Sequence, residues 1–132
     1  MDILKQVSTL RLPSGQYAIF GSGPMALHGI RESRDIDLIV TTNLYNELHR
    51  SGWQEEGSGS KKHLVRDNIE IFSSWDFDNY HPIPKQLINE AEIIDGVAVV
   101  QLSEVMKWKN AFGREKDLAD IKLIQDYLLT EK

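Results

Sequence analysis

Apolar and polar positions follow two different periods along this chain, and each period predicts one kind of element. Apolar residues three or four positions apart predict helices over residues 2–10, 24–30, 44–52, 103–112 and 116–129. Short apolar runs bounded by Gly, Asp or Asn predict strands over residues 17–20, 36–40, 63–66, 69–72, 93–94 and 97–100. Helices and strands therefore alternate through the first half of the chain.

The order of these elements predicts the fold class. Asp67-Asn68 and Asp95-Gly96 each separate two short apolar runs, which predicts two β-hairpins. Helices alternate with strands before the first hairpin and follow the second one. This order favours an α+β fold with a small mixed β-sheet flanked by helices. No linker or repeat divides residues 1–132, so a single domain is expected.

The helix over residues 116–129 has the clearest amphipathic pattern in the chain. Its apolar side should pack on the sheet. That side is expected to carry Leu118, Ile121, Ile124 and Leu128. Ser103 is expected to cap the preceding helix, and Gly113 is expected to end it.

Composition narrows the functional classes. The 132 residues are 41% hydrophobic and 27% charged, which is typical of a folded globular chain. A net charge of -5 disfavours wrapping of duplex nucleic acid by charge alone, although a local phosphate site stays open. The absence of cysteine excludes disulfides, a thiol nucleophile and cysteine-ligated metals. No secretory signal or bilayer-length apolar run is visible, so a cytoplasmic protein without membrane insertion is expected.

A Gly-Ser-Gly turn, Gly21-Ser22-Gly23, lies between the first predicted strand and the next helix. Backbone N–H groups at the start of a helix favour phosphate binding, which is one interpretation of this turn. The other interpretation is a tight turn that needs glycine for its backbone dihedral angles. The turn by itself does not decide between the two.

Three acidic residues fall in or beside predicted strands. Asp35 and Asp37 are two residues apart and therefore lie on the same face, and Glu70 stands between two apolar residues in a later strand. If the two strands are neighbours, the three carboxylates converge and could bind Mg²⁺. Otherwise they are ordinary solvent-exposed positions with ion pairs of little energetic value.

Taken together, these motifs resemble those of the nucleotidyltransferase superfamily related to DNA polymerase beta. The matching blocks are Phe20-Gly21-Ser22, Asp35-Ile36-Asp37-Leu38 and Ile69-Glu70-Ile71. Small bacterial nucleotidyltransferases of the abortive-infection toxin type are more similar still. The residues behind that closer resemblance are His28-Gly29-Ile30-Arg31, Lys109, Arg114-Glu115-Lys116-Asp117 and Asp120.

The resemblance implies a nucleotidyltransferase-like fold and a role for each matching residue. Gly21 and Ser22 would contact nucleotide phosphates, while Lys109 and Lys116 would contact the triphosphate or the acceptor. Asp35, Asp37 and Glu70 would coordinate two Mg²⁺ ions. Glu70 is also a candidate general base.

The implied reaction transfers a nucleoside monophosphate from a nucleoside triphosphate such as ATP to a hydroxyl on RNA, a protein or a small molecule. Many members append a larger helical region, whereas two helices are expected after the last predicted strand here. The alternative is therefore a reduced nucleotide-binding module or a toxin–antitoxin partner. The small size also suggests a homodimer with a shared cleft.

Overall fold

The computed structural model of this protein describes residues 2–130, which form six α-helices and seven strands. The helices are α1 (Ile3–Thr9), α2 (Gly23–Leu27), α3 (Thr42–Arg50), α4 (Pro84–Asn89), α5 (Leu102–Phe112) and α6 (Glu115–Thr130). The strands are β1 (Tyr17–Phe20), β2 (Ile36–Val40), β3 (Gln54–Glu56), β4 (His63–Arg66), β5 (Ile69–Phe72), β6 (Glu92–Ile94) and β7 (Val97–Val99). Within this part of the chain, no helix has the length and apolar character needed to span a membrane.

All seven strands form one mixed sheet in the order β3-β4-β5-β2-β1-β7-β6. The hairpins β4–β5 and β6–β7 are antiparallel, as the turn residues predicted. Asp67 and Asp95 adopt positive φ angles of 54° and 48° in these turns. The central strands β1 and β2 are antiparallel to each other, whereas β2 pairs with β5 and β1 pairs with β7 in parallel. The predicted α+β class with a mixed sheet is confirmed.

Helices cover both faces of this sheet. One face packs against α1 and α3 through buried side chains such as Val7 and Leu44. The other face packs against α4, α5 and α6 through Leu87, Val105 and Ile124. Successive strand residues alternate between these two layers because side chains in a strand point to opposite faces.

Two elements were not predicted from the sequence. Strand β3 is a three-residue edge strand of charged and polar residues that pairs with β4, and it has no apolar run to mark it. Helix α4 begins at Pro84 and spans six residues, too few for a clear helical period.

One predicted helix is shorter than expected. The helix predicted over residues 44–52 corresponds to α3, which ends at Arg50.

The predicted apolar face of α6 is wrong in part. Ile124 is buried, but Leu118 is 53% exposed and Leu128 is 37% exposed. The helix instead buries Asp117 and Asp120, because basic partners on other elements neutralise these carboxylates. The N-cap of α5 is also displaced, since the helix begins after Gln101 rather than at Ser103. Gly113 does end α5, in the left-handed conformation with φ 69°.

Candidate active site

The strand register brings two of the predicted site acids side by side. Strands β2 and β5 are parallel neighbours, and Asp37 is paired with Glu70. Strand β1 flanks β2 on the other side, with Phe20 opposite Asp37. Asp35 is exposed and lies one residue before β2. Asp35, Asp37 and Glu70, called the cleft acids below, therefore occupy one end of the sheet.

The Gly-Ser turn lies directly against the second of these acids. Gly21 follows β1 with φ +61°, and a Cβ atom at this position would lie 2.2 Å from Oδ2 of Asp37. A side chain is thus excluded both by the backbone conformation and by the neighbouring carboxylate. The glycine therefore allows the turn backbone to approach the Asp37 carboxylate closely.

Asp37 has a strongly perturbed pKa. Burial, followed by the charges of Glu70 and Asp35, raises the pKa of this carboxyl from 3.8 to about 7. Lys109 and His63 act in the opposite direction but do not offset this rise. A titratable group perturbed by both burial and like charges is typical of functional sites. A cation bound here would relieve the repulsion.

An open cleft of about 420 Å³ adjoins these groups. It is lined by Ser22, Arg31, Glu32, Ser33, Arg34, Asp35, Asp37 and Lys116. Four residues of the predicted site therefore share one cavity: the turn serine, both aspartates before and in β2, and the late lysine. The cleft has two guanidinium groups and one ammonium group beside its acids, so it combines potential metal ligands with groups that attract phosphate.

Lys109, also predicted to contact the nucleotide, lies beneath the cleft and not in its lining. It is only 2% exposed, and its Nζ lies 3.0 Å from Oδ2 of Asp120 and 3.8 Å from Oδ1 of Asp117. Both aspartates are committed to this ammonium group and to arginine partners. In this arrangement Lys109 is shielded from solvent and pairs with the two aspartates of α6.

Arg31, Lys109, Arg114, Asp117 and Asp120 form what we call the paired cluster. Arg31 binds Asp120 through two hydrogen bonds of 2.9 Å each, and Arg114 binds Asp117 through bonds of 2.7 and 3.0 Å. Burial alone would raise the pKa of each aspartate, but the hydrogen bonds from these cations lower both pKa values. The cluster fixes α5, α6 and the segment after α2 to one another.

One residue of the paired cluster contacts the Gly-Ser turn. The NH2 group of Arg31 donates a 2.8 Å hydrogen bond to Oγ of Ser22. The side chain of Ser22 makes no capping bond to α2, and that helix has only five residues. The contribution of this turn to a phosphate site therefore rests on its backbone approach and on the serine hydroxyl rather than on a long helix dipole.

Glu70 is paired with Asp37, which lines the cleft, but it is not itself part of the cleft lining. Its Oε2 lies 3.9 Å from Nε2 of His63, and the His63 ring stacks on Phe72 with centroids 5.0 Å apart. The side chain of Glu70 is 37% exposed, so a group from solution can reach it. The sequence did not identify His63 as a site residue. Its position beside Glu70 follows from the pairing register of β4 and β5, which the sequence does not reveal.

The donor set was tested against the Mg²⁺ that the resemblance implies. Among residues 2–130, no three His, Asp or Glu side chains are grouped closely enough to hold a metal ion by themselves. Mg²⁺ is commonly held by one or two carboxylates together with substrate phosphates and water. Asp35 and Asp37 supply such a pair in one cleft, and the charges of Glu70 and Asp35 add to burial in raising the pKa of Asp37. The residues present fit a magnesium ion that is completed by substrate.

Arg31 and Asp120 are the main site residues to which sequence reasoning gave no role. Both belong to the motifs quoted above, so a signal was present. Their contact spans 89 positions of sequence and is visible only in the fold.

No model of a known protein family matches the chain. No curated protein matches it significantly either.

Proposed function

We propose that this chain is a Mg²⁺-dependent nucleotidyltransferase with a nucleotidyltransferase-like fold. It would transfer a nucleoside monophosphate from a triphosphate such as ATP to an acceptor hydroxyl. The observation that carries the proposal is the pairing of Asp37 with Glu70 across β2 and β5, with Gly21 packed against Asp37. A structural role alone would not require carboxylates to be held close together at one end of the sheet.

Each group around the cleft has a defined part in this reaction. Asp35 and Asp37 would hold the metal ion, which would supply charge neutralisation at the transferring phosphoryl group and favour ionisation of the acceptor. Ser22, Arg34 and Lys116 line the cleft and bind phosphate oxygens. Little covalent chemistry is required of the protein, since positioning and charge neutralisation dominate phosphoryl-type transfer.

Glu70 is the candidate general base. The acceptor hydroxyl gives its proton to this carboxylate, and the acceptor oxygen then forms a bond to the α-phosphorus. The bond from the α-phosphorus to the bridging oxygen breaks, and pyrophosphate leaves. His63 lies beside this carboxylate, with its Nε2 atom 3.9 Å from Oε2 of Glu70.

The experiment uses four α-labelled nucleoside triphosphates with Mg²⁺ and a cell extract that is then separated into RNA, protein and small molecules. Wild type is expected to label one fraction with one nucleotide. The double variant Asp35→Asn/Asp37→Asn is expected to label none. Asp126→Asn is a matched control, because this acid is 54% exposed in a surface ion pair with Lys122.

Three outcomes are informative. Label that depends on the cleft acids supports the enzyme and identifies its acceptor class. Label that persists in the double variant contradicts the site. Nucleotide binding without any transfer favours the alternative of a reduced binding module or toxin–antitoxin partner. The cytoplasmic location and the homodimer remain predictions, and the second can be measured by light scattering on the same samples.

A further inference from the structure

The hydroxyl of Ser22 is held by an arginine that is itself held by an aspartate. NH2 of Arg31 donates to Oγ of Ser22 at 2.8 Å and to Oδ2 of Asp120 at 2.9 Å, and Nε donates to Oδ1 at 2.9 Å. We infer that Arg31 and Asp120 are positioning residues that orient Ser22 as a hydrogen-bond donor to a substrate phosphate. This inference rests on the proposed function.

The chemistry follows from what a serine hydroxyl can do. It has one proton to donate and two lone pairs that accept. Because one lone pair accepts from a guanidinium group, the hydroxyl proton points elsewhere, and the cationic donor polarises the O–H bond. Ser22 lines the cleft that also contains Asp35 and Asp37. An anionic phosphate oxygen in that cleft is the acceptor that such a hydroxyl favours.

Arg31 is better suited to positioning than to direct substrate contact. Four hydrogen bonds use four of the five N–H donors of its guanidinium group, the fourth bond running from NH1 to the carbonyl of Glu32. Asp120 is fixed in turn by Nζ of Lys109 at 3.0 Å and is 7% exposed. Asp120 and the Glu32 carbonyl therefore fix the guanidinium group of Arg31 in the position from which it binds Ser22.

The test is a double-mutant cycle on nucleotide binding. Arg31→Lys keeps the positive charge but cannot bind Asp120 through two parallel bonds and reach Ser22 as well. Ser22→Ala removes the hydroxyl. The dissociation constants of the Mg²⁺ complexes of ATP, GTP, CTP and UTP are measured by calorimetry, and the tightest nucleotide is used for the cycle.

Arg114→Lys is the matched control. Arg114 makes the same kind of two-bond pair with an aspartate of α6, and its side chain is 40% exposed against 36% for Arg31. It has no hydrogen bond to Ser22. Thermal midpoints of all variants are recorded, so that a loss of stability common to both lysine variants is separated from an effect on binding.

Each single change at Ser22 or Arg31 is expected to weaken binding about tenfold, as for loss of one charge-assisted hydrogen bond. The double variant should bind no more weakly than Ser22→Ala alone. Arg114→Lys should leave the dissociation constant within about twofold, and its effect should add to that of Ser22→Ala. Additive effects of Ser22→Ala and Arg31→Lys, or unchanged binding in Arg31→Lys, would overturn the inference while leaving the proposed function intact. Absence of nucleotide binding in wild type would instead remove the proposed function.

Discussion

The cleft acids and the paired cluster use the same side chain in opposite ways. Asp117 and Asp120 are almost fully buried, yet each is bound by an arginine and lies close to Lys109. Asp37 is also largely buried, but its closest charged influences are two more carboxylates. Hydrogen bonds from paired cations lower the pKa of Asp117 and Asp120, while burial and then the neighbouring carboxylates raise the pKa of Asp37 to about 7.

This difference separates a structural role from a functional one. A buried carboxylate with its cations in place is satisfied and fixes neighbouring elements. A buried carboxylate beside other acids lowers the stability of the free protein, and such a conflict is typical of sites that await a ligand. Both regions were marked by acidic residues in the sequence, and only their partners distinguish them.

The largest expected effect is on transfer. Asp37→Asn removes a proposed metal ligand and should lower transfer by about 1000-fold or more, since one missing electrostatic contact at a reacting centre already costs about 100- to 1000-fold. Initial rates with α-labelled nucleotide measure this. Asp126→Asn should retain the wild-type rate. Retention of more than a tenth of the rate in Asp37→Asn would contradict the assignment.

Asp120→Ala should have the largest effect on stability. It leaves Lys109 buried and Arg31 without its main partner, and loss of one member of a buried pair costs about 3–5 kcal/mol. Urea unfolding followed by circular dichroism gives the free energy. Asp37→Asn should be stabilising above pH 7 in the same assay. Similar destabilisation by both changes would remove the contrast between the two regions.

The raised pKa of Asp37 predicts a pH dependence of known sign. The folded pKa of about 7 lies above the ordinary 3.8, so between these values the folded chain binds a proton that the unfolded chain releases. This contribution is complete below pH 3.8 and is lost as the pH rises through 7. The free energy of unfolding, taken as the difference between wild type and Asp37→Asn, should therefore rise by about 2 kcal/mol from pH 8 to pH 5.5. A flat difference over that range would contradict it.

Mg²⁺ should stabilise the wild type but not Asp37→Asn. At pH 8, a Mg²⁺ concentration five times the dissociation constant would stabilise wild type by about 1 kcal/mol. For a chain of this size, that corresponds to roughly 2–5 °C in the thermal midpoint. Asp37→Asn should show no increase beyond that produced by an equal ionic strength of NaCl. An equal Mg²⁺ effect in both proteins would place the ion elsewhere.

The smallest effect concerns the face that α6 buries. Leu118→Lys should change the free energy of unfolding by less than about 0.5 kcal/mol, because this leucine is 53% exposed. Ile124→Ala, at a fully buried position on the same helix, should cost about 2–5 kcal/mol. A large loss in Leu118→Lys would mean that the apolar side is covered, for example in the predicted homodimer.

Much of the fold could be predicted from local patterns. The hairpins were predictable because Asp67-Asn68 and Asp95-Gly96 are turn residues between short apolar runs. Strand β3 was not, since a polar edge strand of three residues has no period to detect. The buried face of α6 was predicted wrongly in part, because an aspartate is expected to be exposed unless a cationic partner is known. The partners of Asp120 are Arg31 and Lys109, which lie 89 and 11 positions away in the sequence.

The candidate site divides in the same way. Local sequence was enough to propose Gly21, Ser22, Asp35, Asp37 and Glu70, because a glycine turn before a helix suits a phosphate and strand carboxylates suit Mg²⁺. The local sequence did not show whether Lys109 and Lys116 reach the cleft. Lys116 lines the cleft, whereas Lys109 is buried beneath it among carboxylates.

The sequence by itself determined most of the elements, the α+β class and the residue types available for phosphate and metal chemistry. These depend on backbone preferences and periodicity, which act over a few residues. Tertiary structure alone decided that β5 lies beside β2, that Gly21 packs against Asp37, and that Arg31 joins Ser22 to Asp120. Such contacts depend on strand order and helix packing, and the energy of a charge depends on the partners that packing brings to it.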